Sequence, residues 1–86
     1  MIKRYKTALI TGAANGIGSS ILKKLSDYKF KIYALDRDKR KLKTICNETG
    51  AFPLNIDVTN IDLLYSKLSK LDVDILINNA GIGNGI

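Results

Sequence analysis

The chain has 86 residues, of which 45% are hydrophobic and 26% charged, with one proline and seven glycines. This balance excludes a disordered or fibrous segment, and the length allows one domain at most. The net charge is +6, but the basic residues are spread along the chain, and their densest run (37–43) falls on one predicted helix face. We therefore expect a solvated basic surface and no nucleic-acid partner.

The cellular compartment is indicated by the cysteine count and the N-terminal sequence. Cys46 is the single cysteine, so it has no partner for an internal disulfide and suits a reducing compartment. The apolar run at 8–10 is too short for the core of a signal peptide, and nothing approaches the ~20 apolar residues of a membrane helix. We expect a cytoplasmic protein with no membrane partner and with Cys46 as a buried structural thiol.

The first predicted elements are a strand, a glycine-rich segment and a helix. The strand covers Tyr5 to Thr11, and the helix follows the three glycines at 12, 16 and 18. Helical spacing predicts that one face of this helix is buried. The predicted apolar residues are Ile17, Ile21, Leu22, Leu25 and Tyr28.

Two further strands enclose a second helix. Residues 30–36 alternate and are rich in aromatic and branched residues, which predicts a strand with Asp36 at its end. The next helix has an apolar stripe of Leu42, Ile45 and Cys46, with Gly50 as its C-terminal cap. Residues 51–57 form the third strand, and Pro53 in it predicts a sheet edge or a late start because proline has no N–H to donate.

The last predicted elements are a third helix and a fourth strand. Thr59 and Asp62 have the spacing of a capping box that opens the helix, and residues 74–78 form the strand. The expected apolar stripe of this helix is Ile61, Leu64, Tyr65, Leu68 and Leu71. The order β-α-β-α-β-α-β predicts an α/β fold with a parallel sheet and right-handed crossovers. The first two helices should cover one face of the sheet and the third helix the other.

The glycines have two possible purposes. Glycine permits a turn with φ > 0, or it lets a ligand approach the backbone more closely than a Cβ would allow. A glycine-rich turn between a strand and a helix delivers backbone N–H groups and the positive end of the helix dipole to one point, which suits a pyrophosphate. The spacing here is T-G-x-x-x-G-x-G and not the commoner G-x-G-x-x-G, and a glycine pattern alone is a weak signal.

Asp36 strengthens the case for a dinucleotide. It follows Gly18 by 18 residues, close to the ~20 expected for a carboxylate that accepts from the adenosine ribose hydroxyls. A carboxylate at that point repels a 2′-phosphate, so NAD is favoured over NADP. Arg37 leaves NADP possible, because it could pair with the phosphate if Asp36 moved aside. The alternative is that Asp36 is a turn residue at a strand end.

Polar residues also follow the third and fourth strands. Asp57 and the backbone N–H of Val58 complement the donor and acceptor of adenine, although capping the next helix is an equally ordinary task for this turn. In "NNAG", Asn78 to Gly81, the amides can tie neighbouring strands together, and Ala80 and Gly81 leave room for a ribose. By itself this cluster is an unremarkable turn.

Together "TGAANGIG" and "NNAG" resemble the cofactor motif and the fourth-strand motif of the short-chain dehydrogenase/reductase family, over nearly the whole chain. The resemblance implies that residues 1–86 are the N-terminal half of an NAD(P)-binding Rossmann-like domain, an incomplete doubly wound parallel sheet with strand order 3-2-1-4. Members transfer hydride between nicotinamide and an alcohol or carbonyl. The implied cofactor contacts are Gly12, Asn15, Gly16, Ile17 and Gly18 for pyrophosphate, Asp36 for the adenosine ribose, Asp57 and Val58 for adenine, and Asn79, Ala80 and Gly81 for the neighbouring ribose.

The resemblance also implies a tyrosine as acid/base with a lysine four residues later, and this Tyr-x-x-x-Lys motif is not found in the sequence. None of the four tyrosines has a lysine four residues later, the chain has no histidine, and it ends five residues after Gly81. We therefore expect the catalytic and substrate-binding half to be absent and the exposed edge of the fourth strand to permit self-association. Three interpretations remain: a truncated relative without turnover, a piece of a longer active NAD-dependent dehydrogenase, or a stand-alone nucleotide-binding module.

Overall fold

A computed structural model describes residues 6–79, in which strands and helices alternate as the sequence predicts. The elements are β1 (Lys6–Thr11), α1 (Gly16–Leu25), β2 (Phe30–Leu35), α2 (Lys39–Thr49), β3 (Phe52–Leu54), α3 (Ile61–Leu68) and β4 (Ile75–Asn78). All the strands pair in parallel in one sheet of order β3-β2-β1-β4. The predicted α/β class and strand order are confirmed.

The two faces of the sheet are covered by different helices. Successive residues of a strand point to opposite faces, so Ile10 packs with the α1 and α2 side chains while Leu9 lies in a second cluster with Leu64 and Leu68 of α3. The sheet is therefore doubly wound, with two helices on one face and one on the other, as expected.

The face under α1 and α2 holds the larger core. Leu22 of α1 and the predicted stripe of α2, Leu42, Ile45 and Cys46, are all buried. Burial raises the pKa of the Cys46 thiol, so the thiol stays protonated at neutral pH and behaves as a small apolar side chain. Gly50 caps α2 with a φ of 80°, also as predicted.

The third strand is shorter than predicted: β3 covers Phe52–Leu54 and not the whole of 51–57. Its place at a sheet edge and the position of the basic run agree with the sequence. Pro53 is in β3, which is an edge strand of the described sheet. Its lack of an N–H therefore removes no hydrogen bond on the side of β3 that has no neighbouring strand. The basic side chains in the run 37–43 are exposed on α2 and the turn that precedes it.

The predicted helix faces contain errors. Ile17 is 67% exposed at the start of α1, and Tyr28, 59% exposed, lies beyond the end of that helix. On α3, Ile61 and Tyr65 are exposed while Leu64 and Leu68 pack against the sheet. A single helix laid on this face leaves the outer part of its apolar stripe in solvent.

The predicted capping box of α3 is also wrong. The N-cap is Asn60, whose Oδ1 accepts a hydrogen bond of 3.3 Å from the backbone N of Leu63. The Thr59 hydroxyl instead donates to Asp57. Helix α3 therefore begins one residue later than the T-x-x-D spacing predicts.

None of the helices found between residues 6 and 79 has the length and apolar character that a membrane crossing requires.

Candidate functional site

The glycine-rich loop follows β1 at the carboxyl edge of the sheet. Gly12 and Gly16 have φ values of 64° and 50°, so the turn requires both. Gly18 has another purpose: a Cβ added there would overlap the carbonyl oxygen of Gly12 and lie 2.7 Å from the Asn79 side-chain nitrogen. The first purpose of the glycines, a turn with φ > 0, is therefore confirmed at Gly12 and Gly16. At Gly18 the close approach is to the protein's own backbone and not to a ligand. A Cβ on Gly16 would meet nothing within 4 Å, so this side of the loop is open.

The N-terminus of α1 is open to an anion. The N-cap residue Asn15 makes no side-chain capping bond, and the first turn carries no acidic residue. The first N–H groups of a helix have no acceptor within the helix and carry the positive end of its dipole. Asn15 Oδ1 instead accepts a hydrogen bond of 2.9 Å from Lys41 Nζ on α2. The backbone N–H groups of the first turn have no side-chain cap that competes for them, and the space beside Gly16 is open. This arrangement fits the pyrophosphate of a dinucleotide.

Asp36 joins three parts of the site. It follows β2 and is 8% exposed. Its Oδ2 accepts from the backbone N of Ala14 at 3.0 Å, and its Oδ1 accepts from the backbone N of Asp38 at 2.9 Å. The Asn55 side-chain amide donates to its backbone oxygen at 3.0 Å. Asp36 thus holds the glycine-rich loop and the start of α2. Because a carboxylate can accept about four hydrogen bonds and these two backbone N–H groups use two positions, others are left for ribose hydroxyls.

Arg37 and Asp57 bring the turns after β2 and β3 together. Arg37 Nη1 lies 3.9 Å from Asp57 Oδ2, and the Arg37 side chain is 79% exposed. Asp57 Oδ1 accepts from the backbone N and from the hydroxyl of Thr59, at 2.9 and 2.8 Å. These two bonds, and after them Arg37, hold the pKa of Asp57 below its ordinary value. Asp57 therefore braces the turn before α3. The helix cap, which the sequence offered as the other task of this turn, is Asn60.

Val58 lies on the α3 side of the sheet. Its half-buried side chain packs with the Leu9 cluster. It also borders a cavity of about 320 Å³ with Thr11, Leu64, Leu68, Leu76 and Asn78. This cavity lies at the carboxyl end of β1 and β4, next to the polar groups of the strand ends.

The end of β4 is tied to the end of β1 through Thr11. The Thr11 hydroxyl donates to Asn78 Oδ1 at 3.0 Å and accepts from the backbone N of Asn79 at 2.9 Å. Asn79 Nδ2 donates to the Gly12 carbonyl at 3.2 Å. The prediction that these amides tie strands together is confirmed. Ala80 and Gly81 lie outside the described residues.

The structure thus brings the described sequence-predicted site residues to one edge of the sheet. Three contacts connect the loop and the strand ends that carry them: Ala14 to Asp36, Asn79 to Gly12, and Arg37 to Asp57. Sequence reasoning missed the residues that hold this arrangement, namely Thr11, Ala14, Lys41, Asn55 and Thr59. Thr11 could have been identified from the sequence, because it immediately precedes Gly12. The contact between Lys41 and Asn15 could not, because the two residues are 26 positions apart and no motif connects them. Within 6–79, the structure contains no group of three or more side chains suited to a metal ion.

The sequence is similar to known proteins of one family. A family model described as short chain dehydrogenase matches residues 6–86. The chain is 35% identical over 81 residues to an uncharacterized short-chain type dehydrogenase/reductase of Sinorhizobium fredii, covering 94% of this chain and 33% of that protein. The chain spans about a third of the length of the curated relatives it matches.

Two solved structures superpose on it. The 3-ketoacyl-(acyl-carrier-protein) reductase of Brucella melitensis, complexed with NADH, has a TM-score of 0.73 and 36% identity over 91% of this chain and 35% of that one. BdcA in complex with NADPH has a TM-score of 0.83 and 32% identity over 91% of this chain and 33% of that one.

Proposed function

Because the chain belongs to the short-chain dehydrogenase family, we propose that its glycine-rich loop binds NAD, with NADP as a possible substitute, for an oxidoreductase. The observation that carries this proposal is the N-terminus of α1, which has no side-chain cap and faces a turn with glycine at 12 and 16. An anion placed there accepts from backbone N–H groups and meets the positive end of the helix dipole.

We propose the following roles for the residues around the loop. The pyrophosphate contacts the loop and the first turn of α1, and Asp36 accepts from the adenosine ribose hydroxyls. Adenine lies against Val58 and the turn at Asp57, and the second ribose lies near the end of β4. The pyrophosphate residues are Gly12, Asn15, Gly16, Ile17 and Gly18, and those of the second ribose are Asn79, Ala80 and Gly81. The 67% exposure of Ile17 supports a position next to a bound ligand.

The proposed reaction is hydride transfer between nicotinamide and an alcohol or a carbonyl compound. The cofactor supplies the redox chemistry when bound, and the residues of this chain bind and orient it. General acid-base work needs a positioned proton donor, and the sequence offers no Tyr-x-x-x-Lys and no histidine for it. We therefore propose that these 86 residues bind cofactor without turnover of their own.

The length of the relatives favours a second candidate function. Since the chain spans about a third of them, it would be the cofactor-binding part of a longer, active NAD-dependent dehydrogenase. An in-frame Tyr-x-x-x-Lys in the coding DNA downstream distinguishes this candidate from a truncated relative. The lone Cys46 supports a reducing, cytoplasmic location for either.

Replacement of Asp36 tests the function. Asp36→Ala should weaken NADH binding by about 1.5 to 3 kcal/mol, the range for hydrogen bonds to a charged group, as measured by NADH fluorescence titration. Because Asp36 also holds Ala14 and Asp38, circular dichroism must show that the variant is folded. Asp27→Ala, at an exposed aspartate, is the matched control. An unchanged affinity in a folded Asp36→Ala variant would show that the carboxylate serves the turn alone.

A further inference from the structure

We propose that Asn15 is a modification site in the glycine-rich loop: its side-chain amide is converted to a carboxylate by deamidation at Gly16, and the new negative charge weakens dinucleotide binding. The effect on binding rests on the proposed function of the loop. The modification itself rests on three features of Asn15, namely the residue that follows it, the hydrogen bonds of its side chain and the cation beside its carboxamide.

The residue after Asn15 provides the nucleophile. Deamidation begins when the backbone nitrogen of the next residue attacks the carbonyl carbon of the side chain, and glycine has no Cβ to hinder that attack. Both Asn15 and Gly16 are exposed, and a Cβ on Gly16 would meet nothing within 4 Å. Helix α1 begins at Gly16, where an N–H has no acceptor within the helix. The attacking nitrogen is therefore accessible, and the helix does not engage it.

Lys41 activates the carbonyl group that is attacked. The Asn15 side chain makes no capping bond to α1, and its Oδ1 accepts a hydrogen bond of 2.9 Å from Lys41 Nζ. Attack on Cγ moves negative charge onto Oδ1, and a cation already placed at that oxygen stabilises the charge as it develops. The contact between α2 and the loop therefore lowers the barrier to the attack by Gly16.

The reaction uses one water molecule and releases ammonia. The Gly16 nitrogen bonds to Asn15 Cγ and gives its proton to solvent, in an intramolecular step. The Cγ–Nδ2 bond then breaks, and ammonia leaves with the electron pair of that bond and a proton from solvent. Water opens the resulting succinimide at either carbonyl carbon, which yields aspartate or isoaspartate. The net change is hydrolysis of one amide to a carboxylate and ammonium, without oxidation or reduction.

The new carboxylate lies where the pyrophosphate is proposed to bind. Aspartate is a good N-cap residue, so it accepts from the first N–H groups of α1 and also repels an incoming diphosphate. In isoaspartate the backbone gains an atom beside the Asn15 carbonyl, which accepts the first bond of α1 from Ser19 N at 3.2 Å. Both products therefore weaken dinucleotide binding, and the aspartate form does so without destabilising the helix.

Peptide mapping by mass spectrometry tests the modification, with the 86-residue chain incubated in mildly alkaline buffer. Asn15 should convert faster than Asn60, which is also exposed but precedes isoleucine. Lys41→Met should slow the conversion of Asn15 about three- to fivefold, the rate equivalent of one exposed charge contact. The same substitution should not affect Asn84, which belongs to the second Asn-Gly pair of the sequence. Lys43→Met, at an exposed lysine of the same helix, should change neither rate.

NADH fluorescence titration tests the consequence. Asn15→Asp should weaken NADH binding roughly three- to tenfold, because it adds one negative charge at the helix N-terminus, and should not lower the free energy of unfolding in urea. The NADH affinity of the wild-type chain should fall during incubation, in proportion to the conversion of Asn15. The affinity of Asn15→Gln should keep its own starting value, because the longer glutamine side chain cyclises much more slowly.

Three results would overturn the inference. Conversion of Asn15 no faster than that of Asn60 would show that the loop is not a modification site, and an equal rate in Lys41→Met would remove the role of the cation. If Asn15→Asp bound NADH as tightly as the wild type, the modification would have no effect on the site. In all three cases the wild-type chain still binds NADH, and the proposed function of the loop stands. If the folded wild-type chain bound no NADH, the proposed function would fail and this inference with it.

Discussion

At the scale of single residues, Gly18 shows how closely the loop and α1 are packed. A Cβ there would overlap the Gly12 carbonyl, which is backbone and cannot turn aside, and would approach the Asn79 side chain. Gly18→Ala should therefore lower the free energy of unfolding by about 1 to 3 kcal/mol, the usual cost of overpacking, in urea denaturation. Ser20→Ala, at an exposed position of the same helix, should leave it nearly unchanged. Equal stability of the two variants would contradict the described packing.

The loop and the strand end could be predicted from the sequence, whereas the contacts that connect them could not. The spacing of the glycines predicted the loop, and the 18 residues between Gly18 and Asp36 helped to place Asp36 at the end of β2. Both predictions succeed because turns and strand ends depend mainly on residues that are close in sequence. The bonds from Asp36 to Ala14 and from Lys41 to Asn15 join residues 22 and 26 positions apart. They depend on how β2 and α2 pack beside the loop, which residue spacing does not specify.

At the scale of elements, α3 has two neighbouring candidates for its N-cap residue, Thr59 and Asn60. Asn60 Oδ1 accepts from the N of Leu63, so Asn60→Ala should lower the free energy of unfolding by about 1 kcal/mol. Thr59→Ala should cost less, but it should raise the pKa of Asp57 toward its ordinary value of 3.8, because Thr59 supplies the two bonds that lower it. Urea denaturation and an NMR titration of the Asp57 carboxyl measure the two effects. If Thr59→Ala lowered the free energy of unfolding more than Asn60→Ala, Thr59 would be the N-cap, as the capping-box spacing predicted.

The capping error has a local physical cause. Thr59 and Asn60 are both good N-cap residues, and Asp62 gives Thr59 the spacing of a box. In the structure Asp57 binds the hydroxyl and the backbone N of Thr59, which leaves Asn60 to cap the helix. Likewise, the sequence identified the apolar stripes of α1 and α3 but not how much of each the sheet would cover.

At the scale of the whole molecule, the α3 face of the sheet is less completely covered than the α1 and α2 face. Leu76 of β4 is 60% exposed although its register partner on β1, Leu9, is buried. Parallel sheets are normally covered on both faces, and among the described residues 6–79 β4 is an edge strand. We propose, as the sequence predicted, that the chain self-associates at this edge. Leu76→Lys should lower the average mass in sedimentation equilibrium, whereas Tyr28→Lys, at another exposed apolar residue, should not. A mass that is unaffected by Leu76→Lys would place any association elsewhere.

We propose that the glycine-rich loop and Asp36 form a dinucleotide site in these 86 residues. The most direct measurement is a ¹⁵N-resolved NMR titration of the chain with NAD⁺, because one spectrum reports both folding and the location of binding. We predict dispersed peaks whose shifts concentrate at residues 12–18 and 36–37 and saturate. Dispersed peaks that do not move at millimolar NAD⁺, or that move only away from the loop, would contradict the claim.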